Sequence, residues 1–317
     1  MEVTFHTIKQ ITVGAVELWE EADGLHFSKC TREQNAAWRE RSETLFNNAL
    51  ATTGVRLDFY TNSNFVKITL AAKGKYEVKL NGVLYRQYLV NNVPQDGVIT
   101  LNFENNEEKH ILFSLPSLDY AGVISSMEIA DGAYVKPHTF DRKILFVGDS
   151  ITQGYNSVYD TSSYAYQVSE YLNADSVIQG IGGAVFAPKT VLPTGYQPDI
   201  VFIAFGTNDF VCLQTLEELE QNAREYIQKI QAIYVEAKLF VISPIWRMDE
   251  KQVRAMGSFQ ECCNRIKALA KELDVNAIDG ERLVPKLADF MADTVHPNDL
   301  GFSVYALNLL KRLKGKI

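Results

Sequence analysis

The chain has 317 residues, 46% hydrophobic and 22% charged, with a net charge of −8. That length accommodates two cores of ordinary domain size, and an acidic balance without any basic run excludes nucleic acid and anionic membrane as partners. No apolar run approaches the roughly 20 residues a membrane helix needs.

The amino terminus, "MEVTFHTIKQITVGAVELWEEADG", has no basic start followed by an apolar stretch, so no secretory leader is expected. A cytoplasmic location follows, or a secreted one for a chain already processed. Of four cysteines, Cys262 and Cys263 are adjacent within a helical pattern and lack metal-ligand spacing, so the reading is buried free thiols.

Residues 1–140 read as short strands separated by turns. "GVRLDFYTNSNFVKITLAA" alternates polar and apolar positions, and "YEVKLNGVLYRQYLV" carries Asn81-Gly82 between two alternating runs, a strong hairpin signal because both turn positions need positive φ. With "GVITLNF", "HILFSLP" and "VISSMEIA", the pattern predicts an antiparallel β-sandwich of jelly-roll type. "TREQNAAWRERSETLFNNA" breaks it and is partly helical or loop-like, without an assigned place.

Around Pro137 the pattern changes, and residues 141–317 alternate apolar runs with amphipathic helices, the mark of a parallel sheet covered on both faces. Strands are expected at "KILFVGD", "SVIQGI", "DIVFIAFG", "KLFVISPI" and "VNAIDG". Helices are expected at "SSYAYQVSEYLN", "TLEELEQNAREYIQKIQAIY", "SFQECCNRIKALAKEL" and "FSVYALNLLKRL". Thr215 and Glu218 form a capping-box pair at one helix start.

With these strands placed, several polar clusters fall just beyond strand ends, where open α/β sheets form their crevices. Ser150 follows the first strand in "GDSITQG", Gly182 and Gly183 the second in "GIGG", and Asn208 the third in "GTND"; "DTVHP", with Asp293 and His296, precedes the last helix. A serine hydroxyl needs a base to take its proton and a third group to orient that base. His296 and Asp293 fit those roles, and a backbone amide at Gly183 with the Asn208 side chain can serve a developing oxyanion. Asp149 and Asp209 are read as turn and loop anchors through backbone hydrogen bonds.

These four blocks, in this order, resemble those of the SGNH hydrolases, the GDSL esterase and lipase family. The resemblance implies a flavodoxin-like three-layer α/β/α domain and ester hydrolysis through an acyl-enzyme. It places the oxyanion hole at the amides of Ser150 and Gly183 and the side chain of Asn208. Ile151 is a common variant of the first block; Gln179 stands where the family often has Asn before its glycine cluster, and Gly180, Gly182 and Gly183 all compete for the donor role.

A sandwich preceding such a domain is similar to the arrangement in carbohydrate esterase family 2, implying deacetylation of a sugar or polysaccharide. Some of those enzymes use only a Ser-His pair; Asp293, three residues before His296, predicts a full triad here.

Trp246, Arg247, Tyr155 and Phe210 are expected near the same crevice as substrate contacts, the alternative being that Trp246 and Arg247 merely cap the sheet edge. Metal and cofactor motifs are missing, so none is expected. The sequence leads to an esterase acting on a small-molecule or carbohydrate ester. A lysophospholipase or thioesterase, or a carbohydrate-binding protein with a vestigial hydrolase half, are the alternatives. Oligomeric state is left undetermined.

Overall fold

A computed structural model describes residues 1–118 and 120–317 of the chain. It divides into two compact units, Met1–Thr31 with Leu50–Phe140 and Tyr159–Thr161, and Arg32–Ala49 with Asp141–Val158 and Ser162–Ile317. The division expected at 140/141 therefore needs correction: Arg32–Ala49 belongs with the second unit and Tyr159–Thr161 with the first.

The first unit opens with helix α1 (Phe5–Gln10) and contains, among the described residues, eleven strands. These are β1 (Thr12–Val13), β2 (Glu17–Glu21), β3 (Gly24–Ser28), β4 (Arg56–Thr61), β5 (Phe65–Leu70), β6 (Tyr76–Leu80), β7 (Val83–Tyr88), β8 (Val98–Asn102), β9 (Lys109–Ser114), β10 (Val123–Ile129) and β11 (Val135–Pro137). One sheet runs β2-β3-β10-β5-β8 and the other β1-β4-β9-β6-β7, with β11 joined to β4, all pairings antiparallel. This is the sandwich that alternation predicts: Leu57 and Phe59 of β4, Val66 and Ile68 of β5, and Ile111 and Phe113 of β9 all enter one buried core. The β6–β7 hairpin turns on Asn81 and Gly82, with φ of 53° and 78°, as a turn with two positive-φ positions requires.

The second unit begins with α2 (Arg32–Arg41) and α3 (Glu43–Leu50) up to Ala49, the segment that breaks the strand pattern. Its sheet comprises β12 (Arg142–Gly148), β13 (Ala174–Gly180), β14 (Ile200–Ala204), β15 (Lys238–Ile242) and β16 (Asn276–Ile278), wholly parallel in the order β13-β12-β14-β15-β16. That order is the flavodoxin type, whose reversal beside the first strand opens a crevice at the carboxyl ends. Interleaved are α4 (Ser150–Gln153), α5 (Tyr164–Tyr171), α6 (Asp209–Cys212), α7 (Leu216–Ile233), α8 (Phe259–Glu272) and α9 (Asp299–Leu313).

Alternation along β12 assigns the two covering layers. Phe146 meets Tyr164 of α5, which stacks on Tyr305 of α9 at 4.0 Å, whereas Leu145 and Val147 share a small cavity with Tyr226 and Ile230 of α7 and with Trp38 of α2. Thr215 caps α7 as expected, but Glu218 returns its bond to the Gln214 amide; a complete capping box starts α8 at Ser258 and Glu261. Cys262 and Cys263 are buried free thiols, and burial pushes Cys263 up to about 12. Among the described residues no helix is long and apolar enough to cross a membrane.

Candidate active site

Strand β12 ends at Gly148 because the chain must pass close to its neighbours there. A Cβ on Gly148 would lie 2.1 Å from Thr152 Oγ1 and 2.7 Å from the Ala204 carbonyl. Asp149 then caps α4, accepting from the Ile151 amide at 2.9 Å, which leaves Ser150 as the first helical residue. Burial pushes the Asp149 carboxyl up to about 7, with the nearby Asp209 charge adding to it against the Ile151 amide. Both aspartates are structural anchors, as the sequence predicts: Asp209 accepts from the Phe186 amide at 3.0 Å, and burial raises it also to about 7.

Ser150 Oγ lies 2.8 Å from His296 Nε2, and His296 Nδ1 lies 2.8 Å from Asp293 Oδ2, across 146 residues of chain. Asp293 is held from both sides: its Oδ1 accepts the amides of Val295 and His296, each at 2.7 Å, and its Oδ2 accepts Asn156 Nδ2 at 2.7 Å. Burial pushes this carboxyl up, but the His296 and Val295 amides and the His296 ring outweigh it and hold it below the usual carboxylate range. An ionised Asp293 at Nδ1 keeps the His296 proton there and leaves Nε2 free to accept from Ser150.

The glycine cluster resolves into distinct roles. The Gly182 amide is taken by Gln153 Oε1 at 2.6 Å, whereas the Gly183 amide meets no acceptor among the described residues. Gly183 has φ of 82°, a conformation that side chains rarely adopt, in the turn closed by the Ala184 amide on the Ile181 carbonyl. Asn208 donates one Nδ2 hydrogen to the Ala184 carbonyl at 3.0 Å, which orients the amide and keeps its second hydrogen for another acceptor.

Of the expected substrate contacts, Tyr155 stands at the site, 41% exposed with its ring 4.8 Å from that of His296. The other three need correction. Phe210 is wholly buried, edge-on to Phe259 at 5.2 Å. The Arg247 guanidinium is enclosed, paired with Asp249 and donating to the Thr207 carbonyl at 3.0 Å, so it braces the loop instead of offering an anion site. Trp246 is buried too, and its Nε1 meets no acceptor among the described residues. Trp246 and Arg247, in the loop after β15, are thus enclosed, with the Arg247 guanidinium 5.5 Å from the ring centre of Phe210 in α6.

Two residues of the site carry no motif signal: Asn156, in a left-handed conformation at φ 69°, and Asn48 of α3, which donates to the Gly182 carbonyl at 2.9 Å. Only the fold brings them in, Asn48 from 134 residues away.

In the first unit, Asp58, His110 and His138 hold metal-type ligand atoms within 4.8 Å of one another. The two imidazoles are stacked with planes 21° apart, so their in-plane lone pairs do not converge, and Asp58 is already engaged by Arg56 and His110.

A flavodoxin-type sheet with a hydroxyl, imidazole and carboxylate in line at its carboxyl edge has the arrangement of a serine-type acyl hydrolase. The profile of the GDSL-like Lipase/Acylhydrolase family matches residues 146–304, half of the chain, and the chain belongs to that family. No curated protein sequence matches it.

Among solved structures, it is similar to the salicylyl-acyltransferase SsfX3 from a tetracycline biosynthetic pathway, at 16% identity and TM-score 0.80 over 96% of this chain and 94% of that one. It is also similar to a family two carbohydrate esterase from Cellvibrio japonicus, at 15% identity and TM-score 0.72 over 98% and 96%. An acetyl xylan esterase, Est2A, from Butyrivibrio proteoclasticus matches at 14% identity and TM-score 0.67 over 100% and 98%. These likenesses establish a shared fold across both units.

Proposed function

We propose that the protein is a serine esterase that removes short acyl groups, acetyl above all, from a carbohydrate ester. The observation that carries this reading is the continuous hydrogen-bond line from Ser150 through His296 to Asp293. Ser150 Oγ attacks the ester carbonyl while His296 Nε2 takes its proton, and Asp293 stabilises the imidazolium that forms. The amides of Ser150 and Gly183 and the free hydrogen of Asn208 Nδ2 receive the developing oxyanion. His296 then protonates the departing sugar oxygen, leaving an acyl-serine, and on the return step draws a proton from the water that hydrolyses it.

A short acyl group is supported by the likeness to an acetyl xylan esterase. A carbohydrate is supported by the likeness to family two carbohydrate esterases over both units. The test is an ester panel of p-nitrophenyl acetate, butyrate and octanoate with acetylated sugars and xylan. Acetyl esters should turn over fastest, and Ser150→Ala should abolish turnover without altering the fold. Preference for octanoate would instead indicate a lysophospholipase or thioesterase. Glycan binding by the whole chain with no turnover would indicate a vestigial hydrolase.

A further inference from the structure

We propose that Asn48 is a positioning residue that aims the Gly183 amide at the oxyanion, a role that rests on the esterase reading above. Asn48 Nδ2 donates to the Gly182 carbonyl at 2.9 Å. That carbonyl and the Gly183 N–H belong to one planar trans peptide and point in opposite directions. Pulling the carbonyl toward α3 therefore turns the N–H away from α3, and polarising the carbonyl strengthens the N–H as a donor.

The preceding peptide is pinned as well, by the Gly182 amide on Gln153 Oε1 at 2.6 Å. Two adjacent glycines are otherwise the most mobile backbone a chain can have, and a donor that wanders loses its preorganisation. Gly182 itself is shaped for this arrangement: a Cβ there would lie 2.9 Å from Asn48 Nδ2 and 3.1 Å from Gln153 Oε1, displacing both amides. Helix α3, part of the segment that breaks the strand pattern of the first 140 residues, thus supplies a support for the second unit's chemistry.

The experiment compares Asn48→Ala and Asn48→Asp with wild type on p-nitrophenyl acetate, with thermal melts confirming the fold. Asp keeps the shape of Asn but has no donor when ionised and repels the carbonyl. A role in packing alone predicts that Asp is the milder change; positioning of the amide predicts that it is the harsher. We expect kcat to fall about tenfold in Asn48→Ala and about a hundredfold in Asn48→Asp, with KM within about twofold, set against the hundredfold to thousandfold typical of losing an oxyanion donor outright.

Affinity for phenylboronic acid, a tetrahedral mimic, should fall in step with kcat. In 15N-glycine-labelled protein the Gly183 amide proton should move downfield on boronate addition in wild type, and much less in Asn48→Asp. Wild type that is as inert as Ser150→Ala on every ester overturns the esterase reading, and the Gly183 resonance still decides this one. A resonance that fails to respond in wild type, or responds equally in Asn48→Asp, overturns the positioning role, as does wild-type kcat in Asn48→Asp.

Discussion

Asp293→Asn exchanges one oxygen for an NH2 group and should cost the enzyme nearly all of its activity. The carboxylate accepts four hydrogen bonds, from the Val295 and His296 amides on Oδ1 and from Asn156 Nδ2 and His296 Nδ1 on Oδ2. An asparagine has one acceptor oxygen, and the two backbone amides, both at 2.7 Å, cannot turn away from it. The new NH2 therefore faces His296, whose Nδ1 must become an acceptor and whose proton must move to Nε2. That proton then points at Ser150 Oγ, 2.8 Å away, and no lone pair is left to receive the serine hydrogen. A trapped tautomer of this kind lowers kcat by about 10⁴ in serine hydrolases, or about 5.4 kcal/mol at 1.36 kcal/mol per tenfold. Initial rates on p-nitrophenyl acetate at pH 8, with circular dichroism as a check on folding, measure it. A loss smaller than tenfold would refute the triad and leave a Ser-His pair in which Asp293 only shapes the loop.

Three further outcomes are expected. Asn208→Ala should lower kcat by about 10² to 10³ with KM little changed, as removal of an oxyanion donor does; a KM effect alone would move Asn208 to substrate binding. Phe210→Ala should destabilise the fold by about 3–5 kcal/mol in denaturant titrations, the usual consequence of emptying a buried aromatic site, whereas an unchanged midpoint with raised KM would restore it to the substrate pocket. Asp209, buried and raised to about 7, keeps a proton that the unfolded chain sheds near pH 4. Its contribution to stability is complete below about pH 4 and declines toward pH 7, by up to about 1.4 kcal/mol per pH unit. Asp209→Asn, neutral throughout, should flatten that decline in melting-temperature measurements between pH 4 and 7, and equal slopes would refute the assignment.

The parallel sheet and the candidate site blocks are legible because their signals are local. Apolar runs such as "ILFV" mark strands buried on both faces, and Ser150, Asn208 and His296 sit in short blocks at their ends. The burial of Phe210, Trp246 and Arg247 is not legible, for the converse reason. Position after a strand places a residue near the crevice, but whether Phe210 and Arg247 face it depends on what else the loop can bury, which no local pattern reports. The helical segment at Arg32–Ala49 had no readable place either, since its partners, Gln179 and Gly182, lie more than a hundred residues away.

Taken by itself, then, the amino-acid sequence determines the family, the two kinds of sheet and the residue types of the proposed reactive line, because periodicity and turn chemistry act over a few residues. Which glycine amide is free, what steadies the Gly182–Gly183 peptide and which side chains are enclosed were decided only by tertiary structure. Each depends on a donor or an apolar surface brought in from a distant part of the chain, and a hydrogen bond between Asn48 and Gly182 has no trace in the order of the residues.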